Sequence, residues 1–324
     1  MKFTSTLAVV GLTLAIGAGN AHAVNFAQGD VFAAVGNGQV QHYSAAGTLL
    51  ETLNTTRGGF TTGMAFDSTG RLYVTNFSDA SVSRFNTNGT LANAVWANTG
   101  AQGGGGTESI VFDKTGIAYV GNADGNRDIQ KFNAAGTYLQ SFNVATDDRG
   151  SDWIDLAADQ KTMYYTSEGT LIKKFDVSTN TQLADFSSSA AQPKYAFRLL
   201  GDGGLIVSAT SVIQRFDAAG NVIQTYNNNC SGCFALNLNG DGTSFWAGDF
   251  SNGILTKFNI ATGAILQTIN TGSGSLFGVT VFGEIAQGCE PNCGGGGNRV
   301  PEPSSMLLLG SGILAMGMQR LRKQ

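Results

Sequence analysis

The stretch Val82-Ser-Arg84-Phe85-Asn86 decides the fold, because the chain writes it repeatedly. The same pattern, a strand ending in a basic residue, an aromatic and then Asn or Asp, returns as Ile129-Gln-Lys131-Phe132-Asn133 and Ile172-Lys-Lys174-Phe175-Asp176. It returns again as Ile213-Gln-Arg215-Phe216-Asp217 and Leu255-Thr-Lys257-Phe258-Asn259, with a weaker copy at Val40-Gln-His42-Tyr43-Ser44. The aromatics fall at 43, 85, 132, 175, 216 and 258, steps of 41 to 47 residues. Strand-patterned repeats with periods of about 40–50 residues are the signature of propeller blades.

Working outward from the anchor, each unit has three more parts. An apolar strand leads, as in Gly63-Met-Ala-Phe66 or Ile110-Val-Phe112. A turn with Asp or Gly follows, then a second strand such as Leu72-Tyr-Val-Thr75 or Phe245-Trp-Ala247. After the anchor, a turn such as Asn88-Gly89 or Ala219-Gly220 leads to an outer strand, for example Asn221-Val-Ile-Gln-Thr-Tyr226. Glycine supplies the positive φ that such hairpins need. The first unit, from Asp30, lacks an inner strand, and Leu276-Phe-Gly-Val-Thr-Val-Phe282 is an inner strand with nothing after it. Joining them predicts an all-β, six-bladed propeller of four-stranded antiparallel blades, closed by pairing of its C-terminal and N-terminal strands. The second and third strands, as in Leu72-Tyr-Val-Thr-Asn76 and Val82-Ser-Arg-Phe85, resemble NHL-type six-bladed repeats over residues 29–285. That resemblance implies a fold and says little of function.

Both ends read as addresses. Lys2, the apolar run from Leu7 to Ala18 and the small-x-small site Ala21-His22-Ala23 form a secretory signal, with cleavage expected after Ala23. At the other end, Gly294 to Gly297 precede Val300-Pro301-Glu302-Pro303, an apolar run from Met306 to Met318 and the basic Arg320-Leu-Arg322-Lys323. The apolar run is shorter than the about 20 residues of a comfortable span. It predicts a short transmembrane helix with transient membrane contact, its basic end cytoplasmic. Pro-Glu-Pro followed by a short apolar helix and a basic end resembles the PEP-CTERM sorting signal of Gram-negative bacteria. The resemblance implies an exosortase-type enzyme as partner. It implies delivery to the cell surface, outer membrane or extracellular matrix, often beside exopolysaccharide. The expected organisation is a signal peptide at 1–23, the propeller at 24–287, a Cys/Gly-rich linker at 288–299 and the sorting signal at 300–324.

Composition agrees. The 324 residues include 45 glycines and 42% apolar residues, with only 13% charged and a net charge of −4. Without Lys2, Arg320, Arg322 and Lys323 the mature domain is more acidic still. No basic stripe exists to neutralise phosphates, so nucleic acid is excluded as a partner.

Chemistry is sparse. His22 leaves with the signal, and His42 occupies the basic position of an anchor strand, where it reads as a blade-surface residue. Serine–histidine catalysis and His-rich zinc sites are therefore not expected. Six-bladed calcium-dependent gluconolactonases and related lactonases, which this chain resembles in blade count, imply the main enzymatic alternative: a divalent-metal lactonase or lyase. A hard cation needs several converging oxygens. The candidates are Glu108 and Asp152, which enter inner strands, with Asn122 and Asp249 (and Asn76) just after second strands. Asn237-Leu-Asn239-Gly-Asp241-Gly242 starts like a calcium loop, but Gly248 stands where a bidentate Glu is required. Asn122-Ala-Asp124-Gly-Asn126-Arg-Asp128 is a further oxygen-rich stretch, composed of turn residues. Gly103 to Gly106 read as a flexible inter-blade loop without a phosphate-binding lysine.

The aromatics Phe60, Trp153, Tyr195, Phe234 and Phe277 recur before or at the start of inner strands. A closed ring gathers them around one channel mouth, a surface suited to stacking on sugar rings, although packing between blades uses aromatics too. Cys230-Ser-Gly-Cys233 and Cys289-Glu-Pro-Asn-Cys293 are two close pairs, and export favours disulfides. Local pairing is favoured among the three connectivities, because the pairs sit at opposite ends of an inner strand that spans roughly 20 Å. The expectation is a non-enzymatic surface or matrix propeller that binds extracellular polysaccharide or surface proteins, needing no cofactor unless Ca²⁺.

Overall fold

The computed structural model describes residues 24–187, 192–226 and 230–289. Six four-stranded antiparallel sheets form the blades. Blade 1 runs outward as Gly278–Val281, Val31–Gly36, Gln39–Tyr43 and Leu49–Asn54. Blade 2 is Thr61–Phe66, Leu72–Asn76, Ser81–Phe85 and Leu91–Asn98. Blade 3 is Gly104–Phe112, Ala118–Gly125, Ile129–Phe132 and Tyr138–Phe142. Blade 4 is the shortest, with Ile154–Leu156, Thr162–Tyr165, Lys173–Asp176 and an outer strand of only Thr181–Gln182. Blades 5 and 6 are Lys194–Leu199, Leu205–Ala209, Val212–Phe216 and Val222–Tyr226, then Cys233–Leu238, Ser244–Asp249, Ile254–Asn259 and Ile265–Asn270. Each innermost strand packs on the next, and that of blade 6 on that of blade 1, so the ring is closed.

The repeated motif has a physical part for each residue. Its aromatic is buried between blades, as at Phe85, Phe132 and Phe258. In four of the five full copies its basic residue lies opposite an aromatic of the second strand: Arg84 faces Tyr73, Lys131 faces Tyr119, Lys174 faces Tyr164 and Lys257 faces Trp246, while Arg215 faces Ile206. Three of these ammonium groups stand over the ring, 5.4 Å from its centre at Tyr119 and 6.0 Å at Tyr164 and Trp246, within cation–π range. Its closing Asn or Asp caps the hairpin. Asn133 Oδ1 accepts the amides of Ala135 and Thr137, both at 3.0 Å, and Asp217 Oδ1 those of Ala219 and Asn221 at 3.0 and 2.9 Å. The following Gly136 and Gly220 complete the turns at φ +81°.

Closure uses both ends of the domain. Val31 pairs with Val281 and Ala34 with Gly278, extended by Phe282 N–H to Asp30 O and Gly29 N–H to Phe282 O, each 2.9 Å. A Cβ on Gly278 would overlap the Thr62 carbonyl oxygen, so only glycine lets this strand lie against blade 2. Below it, Phe282 packs on Phe66 and Phe26, with ring centres 5.1 and 6.1 Å apart, and Phe26 packs on Phe32 at 4.7 Å.

Two expectations are corrected. His42 is fully buried, not a surface residue. Its ring stacks on Phe32 at 4.3 Å, and Phe26 covers it edge-on at 5.2 Å. Nε2 meets Asp30 Oδ2 at 2.9 Å and Nδ1 meets Glu51 Oε1 at 3.1 Å. The cross-strand basic–aromatic geometry of the other blades is kept, but the N-terminal segment roofs it over. The glycine run is no loop either: Gly104 and Gly105 pair with Gly125 and Asp124, lengthening the inner hairpin of blade 3 above the face. A Cβ at Gly104 would crowd the side chains of Asn122 and Gln130, so the run serves close approach.

Candidate ligand-binding mouth

The strands that enter the ring carry a β-bulge at one recurring place. Register shifts fall between Thr61 and Met64, Thr107 and Ser109, Lys194 and Phe197, and Cys233 and Ala235, in blades 2, 3, 5 and 6. A bulge leaves a residue outside the ladder and re-aims its side chain. The residues so freed include Thr62, Glu108, Tyr195 and Phe234, and Trp153 and Phe277 occupy the matching positions of blades 4 and 1.

All five expected aromatics form one connected cluster. Phe277 touches Phe60 at 5.0 Å and Phe234 at 5.6 Å, while Phe234 touches Tyr195 at 4.8 Å and Trp153 at 6.2 Å. They differ in access. Phe60 is 44% exposed, whereas Trp153 is 1% exposed beneath Phe234. Trp153 is therefore not available for stacking on a ligand and serves as packing. Phe250 joins the cluster, stacked on Phe277 at 5.8 Å and 36% exposed.

A cavity of about 200 Å³ opens here. Phe60, Phe77, Phe234 and Phe277 form its apolar wall, and Thr62, Glu108, Arg149 and Glu168 its polar wall. Arg149 is set by a loop strapped to two blades: its N–H and that of Asp148 donate to Ser167 O at 3.1 and 3.2 Å, and Gly150 N–H donates to Ala123 O at 2.8 Å. Its guanidinium lies 5.2 Å over Phe77 and pairs with Asp124 at 2.5 Å and Glu168 at 3.3 Å. Glu108 and Asp152 have no such partner. Both are buried, and Glu108 Oε1 and both Asp152 carboxylate oxygens accept no hydrogen bond. Burial and then the neighbouring Asp152 charge push the Glu108 carboxyl well up, and burial followed by the Glu168 charge does the same to Asp152.

Of the remaining metal candidates, Asn76 donates its amide to Ser81 and Ser83 but leaves its buried Oδ1 without a partner, whereas Asn122 and Asp249 are occupied elsewhere. Asn122 Oδ1 accepts from Thr107 Oγ1 at 3.3 Å, and its amide donates to Asp128 O at 2.9 Å. Asp249 accepts from the amides of Ser231 and Ser251 at 3.1 and 2.9 Å and from Asn252 at 3.0 Å, fixing the loop of the Cys230–Cys233 disulfide. Asp241 likewise caps its own hairpin through Thr243 and Ser244, both at 2.8 Å. Among the described residues, no three His, Cys, Asp or Glu side chains converge on a metal position. The Cys289–Cys293 pairing, the apolar run at 306–318, the signal peptide and the sorting motif lie outside what the structure describes. Among the described residues no helix is long and apolar enough to cross a membrane.

The far end of the channel is filled. Asn237 accepts from Arg198 Nε at 3.0 Å and donates to Glu284, to Thr280 Oγ1 at 3.1 Å and to Val279 O at 3.2 Å. Asp155 accepts the Leu199 amide at 2.9 Å. These side chains come from blades 4, 5, 6 and 1 and are all buried.

Known structures resemble the ring. A chain of the nidogen/laminin complex superposes with a TM-score of 0.61 at 13% identity, covering 78% of this chain and 97% of its own. The WD40 β-propeller domain of Doa1 gives a TM-score of 0.59 at 14% identity, covering 82% and 91%. At such identities the likeness concerns the fold. No curated protein matches the sequence. Residues 299–323 match the family model of the PEP-CTERM protein-sorting motif. The chain is accordingly a six-bladed β-propeller carrying a PEP-CTERM sorting motif, which implies exosortase processing and an extracellular destination in a Gram-negative-type envelope.

Proposed function

We propose that this protein is a non-enzymatic propeller of the cell surface or matrix that binds glycans at the aromatic mouth. The supporting observation is the contiguous group Phe60, Phe250, Phe277, Tyr195 and Phe234, gathered from separate blades around one acidic cavity. Flat apolar rings beside hydrogen-bonding groups match the two faces of a sugar. The metal-dependent lactonase alternative draws on Glu108, Asp152 and Asn76, because Asn122 Oδ1 accepts from Thr107 and Asp249 is committed to its own turn. Glycan arrays probed with the secreted chain test the reading, with Phe60→Ala and Phe277→Ala compared with the wild type. Retained folding with lost binding supports it. No binding to any glycan, or equal binding by both variants, rejects it.

A further inference from the structure

We propose that the mouth cavity is an ammonium pocket, which receives the protonated amine of an amino-sugar unit with Glu108 as counter-ion. The inference rests on the glycan reading and sharpens it to one class of sugar. Glu108 lines the cavity, is 2% exposed and leaves Oε1 without a hydrogen-bond partner. A buried acceptor left unpaired costs free energy unless something arrives to satisfy it.

The charges around the cavity say what should arrive. Four carboxyl groups gather here, Glu108, Asp152, Asp124 and Glu168, against the single guanidinium of Arg149. Arg149 is already shared between Asp124 and Glu168. The nearby Lys173 is held by Asp147 at 2.9 Å, and the Lys194 ammonium donates to Gln192 O at 3.0 Å. Glu108, which lines the cavity, and Asp152, fully buried near it, are therefore left without a cation. The opposite wall consists of phenylalanine rings, whose π faces attract cations once water is excluded. Carboxylates on one side and aromatic rings on the other suit an organic ammonium. A hard metal ion would instead want several oxygens, and the phenylalanine wall offers none. The volume, about 200 Å³, lies below the roughly 300–1,000 Å³ of pockets for drug-sized ligands. It suits one small unit.

Calorimetric titration of the full chain at 0.15 M NaCl and pH 7 tests this, using the trimers of glucosamine, N-acetylglucosamine and glucose. This salt screens exposed charges beyond about 8 Å, which limits general attraction between a cationic sugar and an acidic protein. The glucosamine trimer is expected to bind at least about tenfold tighter than the acetylated trimer, the factor a 1.4 kcal/mol ion pair supplies. Glu108→Gln, nearly isosteric, should erase that preference. Asp202→Asn, which removes one charge from an exposed turn of blade 5, should leave it intact. Equal affinities for the two amino-sugar trimers would overturn the inference and spare the glycan reading. Absence of binding by all three would overturn the inference, and the glycan reading falls with it only if the arrays are also blank. A preference that survives Glu108→Gln, or stoichiometric Ca²⁺ binding lost in that variant, would overturn the ammonium assignment.

Discussion

Phe282→Ala should loosen the whole ring and not merely its last strand. Phe282 is 7% exposed, immediately follows the closing strand and packs against Phe66 and Phe26. Truncating a buried Phe removes its transfer free energy and leaves a cavity, together about 3–5 kcal/mol. The surrounding rings come from the N-terminal segment and blade 2, so collapse into the gap is limited, and about 3–4 kcal/mol is expected. For a domain of this size each kcal/mol shifts Tm by about 2–4 °C, giving a drop of about 6–16 °C. Differential scanning calorimetry at pH 7 reads it directly. Phe60→Ala, at a ring 44% exposed, serves as the control and should cost under about 1.5 kcal/mol. Hydrogen exchange adds a second reading: protection should fall in blades 1 and 2 together. If the two variants melt alike, or if exchange rises only at 278–282 with Tm unchanged, closure does not hold the ring as argued.

Three further outcomes follow from the buried groups. Glu108 holds its proton more tightly folded than unfolded, so its contribution is most favourable below the ordinary carboxyl value, about 4.3, and is lost as pH rises through the raised folded value. Glu108→Gln should therefore melt about 2–8 °C above wild type at pH 8, from about 1–2 kcal/mol, with the gap closing toward pH 4; a pH-independent difference contradicts this. Asn237→Ala leaves Arg198 and Glu284 buried without their shared partner and should cost about 3–5 kcal/mol in urea denaturation, whereas a loss under 1 kcal/mol would show that water replaces it. Reducing the Cys230–Cys233 disulfide, which closes a loop of only a few residues, should lower stability by about 2 kcal/mol and leave the circular dichroism of the sheets unchanged.

The ring was readable because its period is carried by residues with one job each. The aromatic of the repeat fills the space between blades, and the Asx residue caps the turn. The gathered aromatics were readable too, because Tyr195, Phe234 and Phe277 share a repeat position, Phe60 lies two residues before it in blade 2, and closure does the rest. Access was not readable: the same position buries Trp153 and Phe234 but leaves Tyr195 and Phe277 half-buried, Trp153 lying beneath Phe234 in the short blade 4. Phe77, Glu168 and Phe250 were missed, yet Phe77 and Phe250 directly follow second strands that end at Asn76 and Asp249, and Glu168 follows the one that ends at Tyr165 by three residues. Aligning the blades at that position shows all three arriving at the mouth. Arg149 gave no such signal, because it belongs to an irregular loop fixed by backbone bonds to Ser167. His42 was misjudged for a related reason. Its burial depends on Phe26, Asp30 and Glu51, which lie outside the anchor strand itself.

The buried group of Asp155, Arg198, Asn237, Thr280 and Glu284 makes the ring a cup and not a tube. A polymer cannot be threaded through a cup. Whatever passes Glu108 at the mouth and enters the cup must be a free end or a short side branch, and it must back out the way it came. A long strand would then be held by its tips, and the number of proteins it carries would follow how often it is cut or branched, not how long it is.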